Sequence, residues 1–387
     1  MASTIERDGS AARAPFARRE AALLLLAAVA AASLAGLSSL FDKAGGFGLA
    51  LQFALLLSAI LWGAFRVVHH AEDIAHILGE PLGTLVLTLA VIGIEVALVV
   101  AMMLGGAAEP VAARDTMFSV LMLAMNFVLG LALLFGGARH GASRHNLQGS
   151  AAYVGTLIVL GGLSLVWPRI AESAPDGRVS KLQAPFLVGA SLLCYGVFLA
   201  IQTGRARGWF QEDAASEDAT SEANEEAAAA HATAARGGAG RIVALLLAYL
   251  GLIILLAEQM AHALEGVVTS LGLPHAFSGL VVAAVILAPE ALATVQAASA
   301  RQMQRAVNLS LGAALSTIGL TVPAVLLVSM ATGHEVVLGL EATEILLLSL
   351  SYLLAINTLS TGRTNQLHGV LHLAMFLAYV VLIFDGM

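Results

Sequence analysis

The 387-residue sequence has little charge, because Asp, Glu, Lys and Arg together make up only 12% of it. A soluble globular domain carries about 25% charged residues, so this composition excludes an ordinary water-soluble domain. Hydrophobic residues make up 59% of the chain, and the mean hydropathy is +0.87. A membrane-spanning helix needs about 20 apolar residues, so a chain of this length has room for about ten spans or more. We therefore expect an all-α polytopic membrane protein whose first partner is the lipid bilayer.

Cysteine and excess basic charge are also missing. The single cysteine, Cys194, excludes a disulfide framework and any cysteine-based zinc or iron–sulfur site. The formal net charge of −7 argues against nucleic acid as a partner, because nucleic-acid binding needs a basic surface. The sequence contains no Gly-rich phosphate loop, His-Glu-x-x-His or Gly-x-Ser-x-Gly pattern. These absences disfavour an ATP-driven pump and an intramembrane hydrolase, so neither an enzyme activity nor a cofactor is expected.

Apolar stretches bounded by charges, Gly or Pro predict about eleven transmembrane helices. The first stretch follows Arg18 and Arg19 but is longer than the apolar part of a signal peptide, so we interpret it as a span. The predicted spans are residues 21–41, 46–66, 83–105, 115–137, 151–167, 183–203, 242–262, 278–299, 307–331, 338–359 and 367–384.

The loops between these spans divide the basic residues unequally. When alternate loops are assigned to opposite sides of the membrane, the side of the N-terminus collects 14 of the 19 Lys and Arg residues. The positive-inside rule then predicts a cytoplasmic N-terminus, and the odd number of spans predicts a C-terminus on the outer side.

The connection between the sixth and seventh spans is long and rich in Ala, Ser and acid. Two interpretations stay open: a cytosolic segment that senses cations or regulates the protein, and a solvated linker that joins two helical bundles. Its acidic residues are Glu212, Asp213, Glu217, Asp218, Glu222, Glu225 and Glu226.

An internal repeat relates the two halves of the chain. Residues 71–78 recur as residues 257–264 with five identities in eight positions, and each copy is followed by a Gly-x-Pro and then by an apolar span with one carboxylate. The repeating unit has five spans, and an odd-numbered unit inverts when it repeats. Inverted repeats with a binding site at their interface are characteristic of secondary transporters. The predicted parts are a cytoplasmic tail (1–20), an extra helix (21–41), a first five-helix repeat (46–203), the acidic linker (204–240) and a second five-helix repeat (241–387).

The carboxylates of the two repeated spans are Glu95 and Glu290, each the thirteenth residue of its span. A carboxylate near the centre of a bilayer costs on the order of 3 kcal/mol to insert, so such groups are functional by default. When buried, a carboxyl group resists being ionised without a partner, and a proton and a cation therefore compete for it. Two converging carboxylates offer two negative charges and hard oxygen ligands, which suit Ca²⁺ and also accept Na⁺.

Residues near the two glutamates indicate how such a site is completed. Pro289 directly precedes the second glutamate and Gly93 lies two residues before the first, so an opened backbone with free carbonyl groups is expected at both points. The spans that follow carry polar groups at mid-depth, of which Asn126 and Ser316 are the favoured lining residues. The alternative is that these groups only bond neighbouring helices.

Around these residues the sequence resembles the calcium/cation antiporter superfamily, and specifically bacterial Ca²⁺/H⁺ antiporters of the ChaA type. The most specific parts are Ile286-Leu-Ala-Pro-Glu290 and Leu311-Gly-Ala-Ala-Leu-Ser-Thr-Ile-Gly-Leu-Thr-Val-Pro323. The resemblance implies a protein of the bacterial inner membrane with one extra helix and two inverted five-helix halves. It also implies that the glutamate of each half binds the cation and carries protons.

Two further implications of the resemblance concern selectivity and ion access. Acidic residues at the start of each repeat, which match Glu72 or Asp73 and Glu258, are expected to guide ions into the site. Typical Ca²⁺/H⁺ exchangers carry Gly-Asn-Ala-x-Glu in both repeats, whereas this chain has Val91-Ile-Gly-Ile-Glu95 and Ile286-Leu-Ala-Pro-Glu290, without the Asn. We therefore expect cation/H⁺ antiport with Ca²⁺ first and Na⁺ close behind, K⁺ being a further candidate. The alternative is a passive cation channel or an ion-sensing membrane protein that uses the same carboxylates.

Other ionisable groups allow weaker predictions. His368 and His372 lie four residues apart, a spacing that metal sites use, but packing or hydrogen bonding is the favoured interpretation. Glu341 and Glu344, near the outer end of the tenth span, are candidates for an external vestibule.

Overall fold

The computed structural model describes residues 20–36, 38–78, 90, 92–100, 103, 110–172, 175–211 and 239–385. Twelve helices are numbered here in chain order, and two short strands form a ribbon. The helices are α1 (Ala21–Leu34), α2 (Ser38–Lys43), α3 (Gly45–Leu78), α4 (92–100), α5 (Ala112–His140), α6 (Leu147–Ile170), α7 (Gln183–Thr203), α8 (Ala239–Leu271), α9 (Ala276–Ser299), α10 (Met303–Thr332), α11 (Ala342–Leu359) and α12 (Gln366–Asp385). The strands are β1 (Ser143–Arg144) and β2 (Arg363–Thr364).

These helices confirm an all-α membrane protein. Among the described residues, nine helices are long and apolar enough to cross a bilayer. The predicted first span differs, because α1 has 14 residues and ends before Gly36, whose φ of +81° is a left-handed conformation that cannot continue a helix. The third predicted span is described only in part, as α4 and single residues around it. The acidic linker from residue 212 to residue 238 is not among the described residues, so the predictions for it lie outside them.

Two helices are much longer than a bilayer requires. The predicted second and seventh spans become α3, with 34 residues, and α8, with 33 residues, at equivalent positions in the two halves. Together with α1 they form one apolar cluster, centred on residues such as Ile60, Tyr249 and Ile253. A second and larger apolar cluster joins α5, α6, α7, α10, α11 and α12.

The helices that carry the glutamates connect the two clusters. In α4, Ile94 belongs to the first cluster and Val99 to the second. In α9, Ile286 belongs to the first cluster and Leu287 to the second. Both glutamate helices therefore lie along the boundary between two separately packed parts of the bundle.

The backbone is irregular in the helices that follow the glutamate helices. Residues Leu123–Val128 of α5 and Thr317–Thr321 of α10 form π-helical turns, which insert an extra residue and free backbone carbonyl groups. The Ala124 carbonyl in the first of these turns accepts a hydrogen bond of 2.6 Å from the Ser310 hydroxyl of α10, in addition to one from the Leu129 N–H. Helix α9 continues through Pro289 from Ala276 to Ser299, so the helix is not interrupted there, although Pro289 has no N–H to donate to the Val285 carbonyl.

The two ends of the bundle differ in their connections. At one end, called here the ribbon end, β1 pairs antiparallel with β2 and so joins the α5–α6 and α11–α12 loops. At the opposite end, Gly177 and Leu338 bring the α6–α7 and α10–α11 loops together, since the Leu338 N–H donates to the Gly177 carbonyl.

A buried polar network holds α1 against the two long helices. The Glu20 carboxylate, 3% exposed, accepts hydrogen bonds from Arg66 at 3.1 and 3.2 Å and from the Tyr249 hydroxyl at 3.0 Å. The His70 ring nitrogen lies 3.3 Å from the same carboxylate. Burial acts to raise the pKa of Glu20, but the Tyr249 hydrogen bond and the Arg66 charge outweigh it, and the pKa lies below its ordinary value of 4.5. The ionised carboxylate thus ties α1 to α3 and α8.

We predict that Glu20→Gln lowers the thermal unfolding midpoint in detergent by several degrees at neutral pH, because Arg66 loses its buried charged partner. Since the folded-state pKa of Glu20 is lowered, its contribution to stability is fully present above about pH 4.5 and is lost as the pH falls through the folded pKa. The difference from wild type should therefore narrow in acid. Circular dichroism against temperature at several pH values measures this.

The matched control for this prediction is Glu265→Gln. Glu265 is more exposed and pairs with the half-exposed His275 at 2.7 Å, so a smaller change is expected. A loss of stability from Glu20→Gln no larger than that of the control would contradict the role given to the buried network.

Candidate cation site

A cavity of about 290 Å³ lies beside the two glutamates. Its lining includes the buried Glu95 and also the exposed Arg305, which lies near the start of α10, the helix that contacts β1. Asn308, another lining residue, donates a 2.6 Å hydrogen bond to the Phe210 carbonyl, in the short segment that follows α7. The remaining lining residues are Val68, Glu72, Tyr153, Tyr195, Phe198, Leu199, Gln202, Ile286, Leu287, Pro289, Glu290, Ala293, Leu309, Gly312, Ala313, Leu315, Ser316 and Thr317.

Glu95 faces the π-helical turn of α10. It is 2% exposed, and the hydroxyl groups of Thr317 and Thr321 lie beside its carboxyl group. The Thr317 hydroxyl donates to the Ala313 carbonyl at 3.0 Å, so the lone pairs of its oxygen stay free to bind another group. The sequence favours Ser316 and does not distinguish the two threonines from other mid-depth polar residues.

Glu290 has different surroundings although it is the repeat equivalent of Glu95. Its carboxyl group lies against its own backbone N–H, and the Thr294 hydroxyl donates to its carbonyl oxygen at 2.6 Å rather than to its side chain. Both glutamates line the same cavity, so the two carboxylates converge on one site. The site is therefore asymmetric, because the Thr317 and Thr321 hydroxyl groups lie beside the Glu95 carboxyl group whereas the Thr294 hydroxyl bonds the backbone of Glu290.

Several oxygens at this site are buried but make no hydrogen bond within the described part of the chain. They are Oε1 of Glu95, Oε2 of Glu290 and Oγ1 of Thr321. Buried polar atoms are normally paired, because leaving one unpaired costs about 1–3 kcal/mol. Three such oxygens in one place are the arrangement that a hard cation would use as ligands.

Tyr195 of α7 adds an aromatic wall to the site and also lies near Glu95. Its ring packs on Gly319, where an added Cβ would lie 2.7 Å from a ring carbon. Gly319 lies between the two threonines, so this contact fixes the turn that presents their hydroxyl groups. Tyr195 lies in the predicted span 183–203, outside the repeated stretches, which is why the sequence does not single it out.

The structure separates the residues predicted to complete the site. Ser316, Pro289 and Glu72 line the cavity together with the glutamates. Gly93 instead faces α8, where an added Cβ would meet Leu250 at 3.8 Å. Asp73 lies 3.8 Å from a ring nitrogen of His70 in the α1 network and is not a lining residue.

Asn126 belongs to a separate buried network and is not a lining residue of the cavity. Its amide donates to the Ser351 hydroxyl at 2.8 Å, and its oxygen lies 3.2 Å from Nδ1 of His372. The other ring nitrogen of His372 lies 3.1 Å from the Thr358 hydroxyl. This network joins α5, α11 and α12, which agrees with the packing interpretation of His372.

The remaining candidates have structural partners. No group of three or more His, Cys, Asp or Glu side chains that could hold a metal ion occurs among the residues that the structure describes. Glu341 and Glu344 form a capping box at the start of α11, and Glu341 also pairs with Arg169 at 2.7 Å.

A family model described as sodium/calcium exchanger protein matches residues 48–204 and 241–384, which include both glutamates. The chain belongs to the sodium/calcium exchanger family. Among relatives of this exchanger, y4hA of Sinorhizobium fredii (strain NBRC 101917 / NGR234) is 39% identical over 333 residues, covering 85% of this chain and 88% of that protein. The sodium-potassium/proton antiporter ChaA of Escherichia coli (strain K12) is 38% identical with the same coverage.

Solved structures share the fold of this exchanger at low sequence identity. Native YfkE has a TM-score of 0.68 and 17% identity, covering 94% of this chain and 99% of that one. The H⁺/Ca²⁺ exchanger CAX has a TM-score of 0.62 and 14% identity, covering 95% and 89%. These structures confirm the predicted polytopic fold, and the family model and the curated relatives confirm the predicted family resemblance.

We predict that Thr321→Val raises the cation concentration for half-maximal exchange by about tenfold, equivalent to about 1.4 kcal/mol, because the isosteric change removes one oxygen beside Glu95. Cation-dependent exchange in proteoliposomes measures this. Thr156→Val is the matched control, since the Thr156 hydroxyl only donates to the Ala152 carbonyl in α6. Equal effects of the two variants would contradict a role for Thr321 at the site.

Proposed function

We propose that this exchanger is a secondary active cation/proton antiporter in which Glu95 and Glu290 bind either a cation or protons. The cargo is Ca²⁺, with Na⁺ and K⁺ competing for the same site. The observation that carries the proposal is the convergence of two buried carboxylates and unpaired oxygens in one cavity.

The coupling follows from the chemistry of that arrangement. Two carboxylates inside an apolar bundle are costly when both are ionised without a counter-charge. A bound cation or bound protons relieve the cost, so loading one displaces the other. When the charged and unloaded site cannot change its exposure between the two sides of the membrane, the outcome is exchange.

The shape of the molecule favours alternating access. The exposed lining residue Arg305 lies near the start of α10, next to the ribbon, so we infer that the cavity opens toward the ribbon end. Toward the opposite end, Gly279 of α9 packs directly on the backbone of Asp115 and Thr116, where an added Cβ would lie 2.8 Å from the Asp115 carbonyl carbon. Glu72 lines the cavity whereas Glu258, its repeat equivalent on α8, does not. In an inverted repeat, Glu258 would take the place of Glu72 when the opposite side opens.

Alternating access requires one part of the protein to move against another, and the boundary between the two apolar clusters is where such a movement can occur. The unit of α1, α3 and α8 and the larger remaining unit meet along the glutamate helices. A small shift of one unit against the other would change the exposure of the site without unpacking either core.

The choice of cations rests on ligand chemistry and on relatives. Two negative charges with hydroxyl oxygens suit Ca²⁺. The absence of the Asn of typical Ca²⁺/H⁺ exchangers removes amide oxygens that would favour it. The relative ChaA is named as a sodium-potassium/proton antiporter. We therefore expect Na⁺ and K⁺ to compete measurably with Ca²⁺.

We predict that Glu95→Gln and Glu290→Gln each abolish exchange while the folded protein stays in the membrane, because each replacement removes a negative charge and a group that binds cations or protons. Uptake of ⁴⁵Ca²⁺ or ²²Na⁺ against its concentration gradient, driven by an imposed proton gradient in proteoliposomes, measures this. The matched control is Glu335→Gln, which breaks only an exposed pair with Arg178.

Near-normal uptake by either glutamine variant would remove that residue from the site. A wild-type flux that only dissipates gradients would instead support the passive channel.

We predict one-sided access to the cavity. In a Cys194→Ala background, Ala293→Cys places a thiol on the cavity wall, and a membrane-impermeant reagent should label it from the ribbon side. Saturating Ca²⁺ should slow the labelling. Leu292→Cys is the control, because this side chain is 51% exposed, does not line the cavity and should face lipid. Equal labelling of Ala293→Cys from both sides would contradict alternating access.

A further inference from the structure

The ribbon is built from two copies of the same tripeptide pattern, Arg-x-Asn. Arg144 and Arg363 lie directly opposite each other in the antiparallel pair, and each is followed two residues later by an Asn. Asn146 accepts hydrogen bonds from the first N–H groups of α6, and Asn365 accepts one from the His368 N–H in the first turn of α12. Both arginines therefore stand at the point where a membrane-spanning helix begins.

The pairing places two positive charges side by side. Like charges directly opposite on neighbouring strands are destabilising, and both arginine side chains are exposed. Burial lowers the pKa of His145, so its imidazole adds no further charge at neutral pH. Within the described ranges, neither Arg144 nor Arg363 forms an ion pair with a carboxylate.

At the opposite end of the bundle, the arginines form ion pairs with carboxylates. There Arg114 pairs with Asp115 at 2.8 Å, Arg169 with Glu341 at 2.7 Å and Arg178 with Glu335 at 2.6 Å. Fixed carboxylates thus neutralise the guanidinium groups at that end, whereas the described residues provide no carboxylate partner for the paired arginines of the ribbon, so an anion from outside the chain could bind there.

Exposed leucines indicate where that anion comes from. Leu147, three residues after Arg144, is 48% exposed, and Leu367, four residues after Arg363, is 62% exposed. Each leucine lies in the first turn of its membrane-spanning helix. In each helix, a guanidinium group near the membrane surface is therefore followed by an apolar side chain deeper in the bilayer. A headgroup phosphate above acyl chains matches this order of charge and hydrophobicity.

We propose that the ribbon is a binding site for the phosphate group of an anionic phospholipid in the adjacent leaflet, held between Arg144 and Arg363. Guanidinium groups bind phosphate oxygens in bidentate geometry, and the phosphate neutralises the repulsion between the strands. The bound lipid would thereby link the α5–α6 loop to the α11–α12 loop.

The test uses the full-length protein in detergent, with native mass spectrometry to measure retained phosphatidylglycerol and phosphatidylcholine over a titration of each lipid. Wild type should prefer phosphatidylglycerol. The double variant Arg144→Gln/Arg363→Gln should weaken its binding by more than tenfold, because a basic residue near a membrane surface contributes about 1 kcal/mol, or about fivefold, to anionic lipid binding.

The matched control is Arg139→Gln/Arg205→Gln, which removes the same charge from exposed positions at the same end but not from the ribbon. It should change phosphatidylglycerol binding by less than threefold, in line with the general surface charge. The conservative variant Arg144→Lys/Arg363→Lys should lie between wild type and the glutamine variant, because lysine keeps the charge but not the bidentate geometry.

Two further experiments distinguish the lipid from other anions that could bind the ribbon. Inorganic phosphate added at millimolar concentration should not displace phosphatidylglycerol, and displacement would assign the ribbon to a free anion instead. Neutralising the seven carboxylates between residues 212 and 226 should leave lipid binding unchanged, whereas a large increase would mean that this segment occupies the ribbon. Equal losses in the ribbon and control variants, or equal retention of the two lipids by wild type, would overturn the proposal.

Discussion

A carboxyl group inside an apolar bundle needs a proton or a cation beside it, and the architecture of this exchanger is arranged around two such groups. Glu95 and Glu290 lie on helices that connect two separately packed apolar clusters. The same boundary contains the cavity, so the groups that are most costly to bury lie where the packing is least continuous. The groups that would bind the cation therefore lie at the boundary where the two packed parts of the protein could move against each other.

The two halves of the chain are alike in plan but differ at the site. Both have a long helix, a glutamate helix and a following helix with a π-helical turn. In α10 that turn directs Thr317 and Thr321 toward Glu95, whereas in α5 it directs Asn126 toward Ser351 and His372. One turn thus supplies oxygen atoms to the candidate site, and the other fastens the helices behind it.

Much of this arrangement could be predicted from the sequence, because hydropathy and the repeat depend on local patterns. Glu95 and Glu290 are rare charges inside apolar spans, and they occupy equivalent positions of the repeat. Both features can be recognised from the sequence without knowledge of the tertiary structure. The choice between Asn126 and the threonines could not be made, since a π-helical turn adds a residue and so rotates the following residues by about 100°. The ribbon was also hidden, because two residues of strand in each loop carry no periodic pattern.

The central claim is that cations and protons compete for the same pair of carboxylates. Addition of Ca²⁺ to the purified protein in weakly buffered detergent solution tests it most directly, with a pH indicator that counts the protons released per molecule. The account predicts saturable proton release that is lost when Glu95 and Glu290 are both replaced by Gln. Cation binding without proton release, or unchanged release from the double variant, would contradict it.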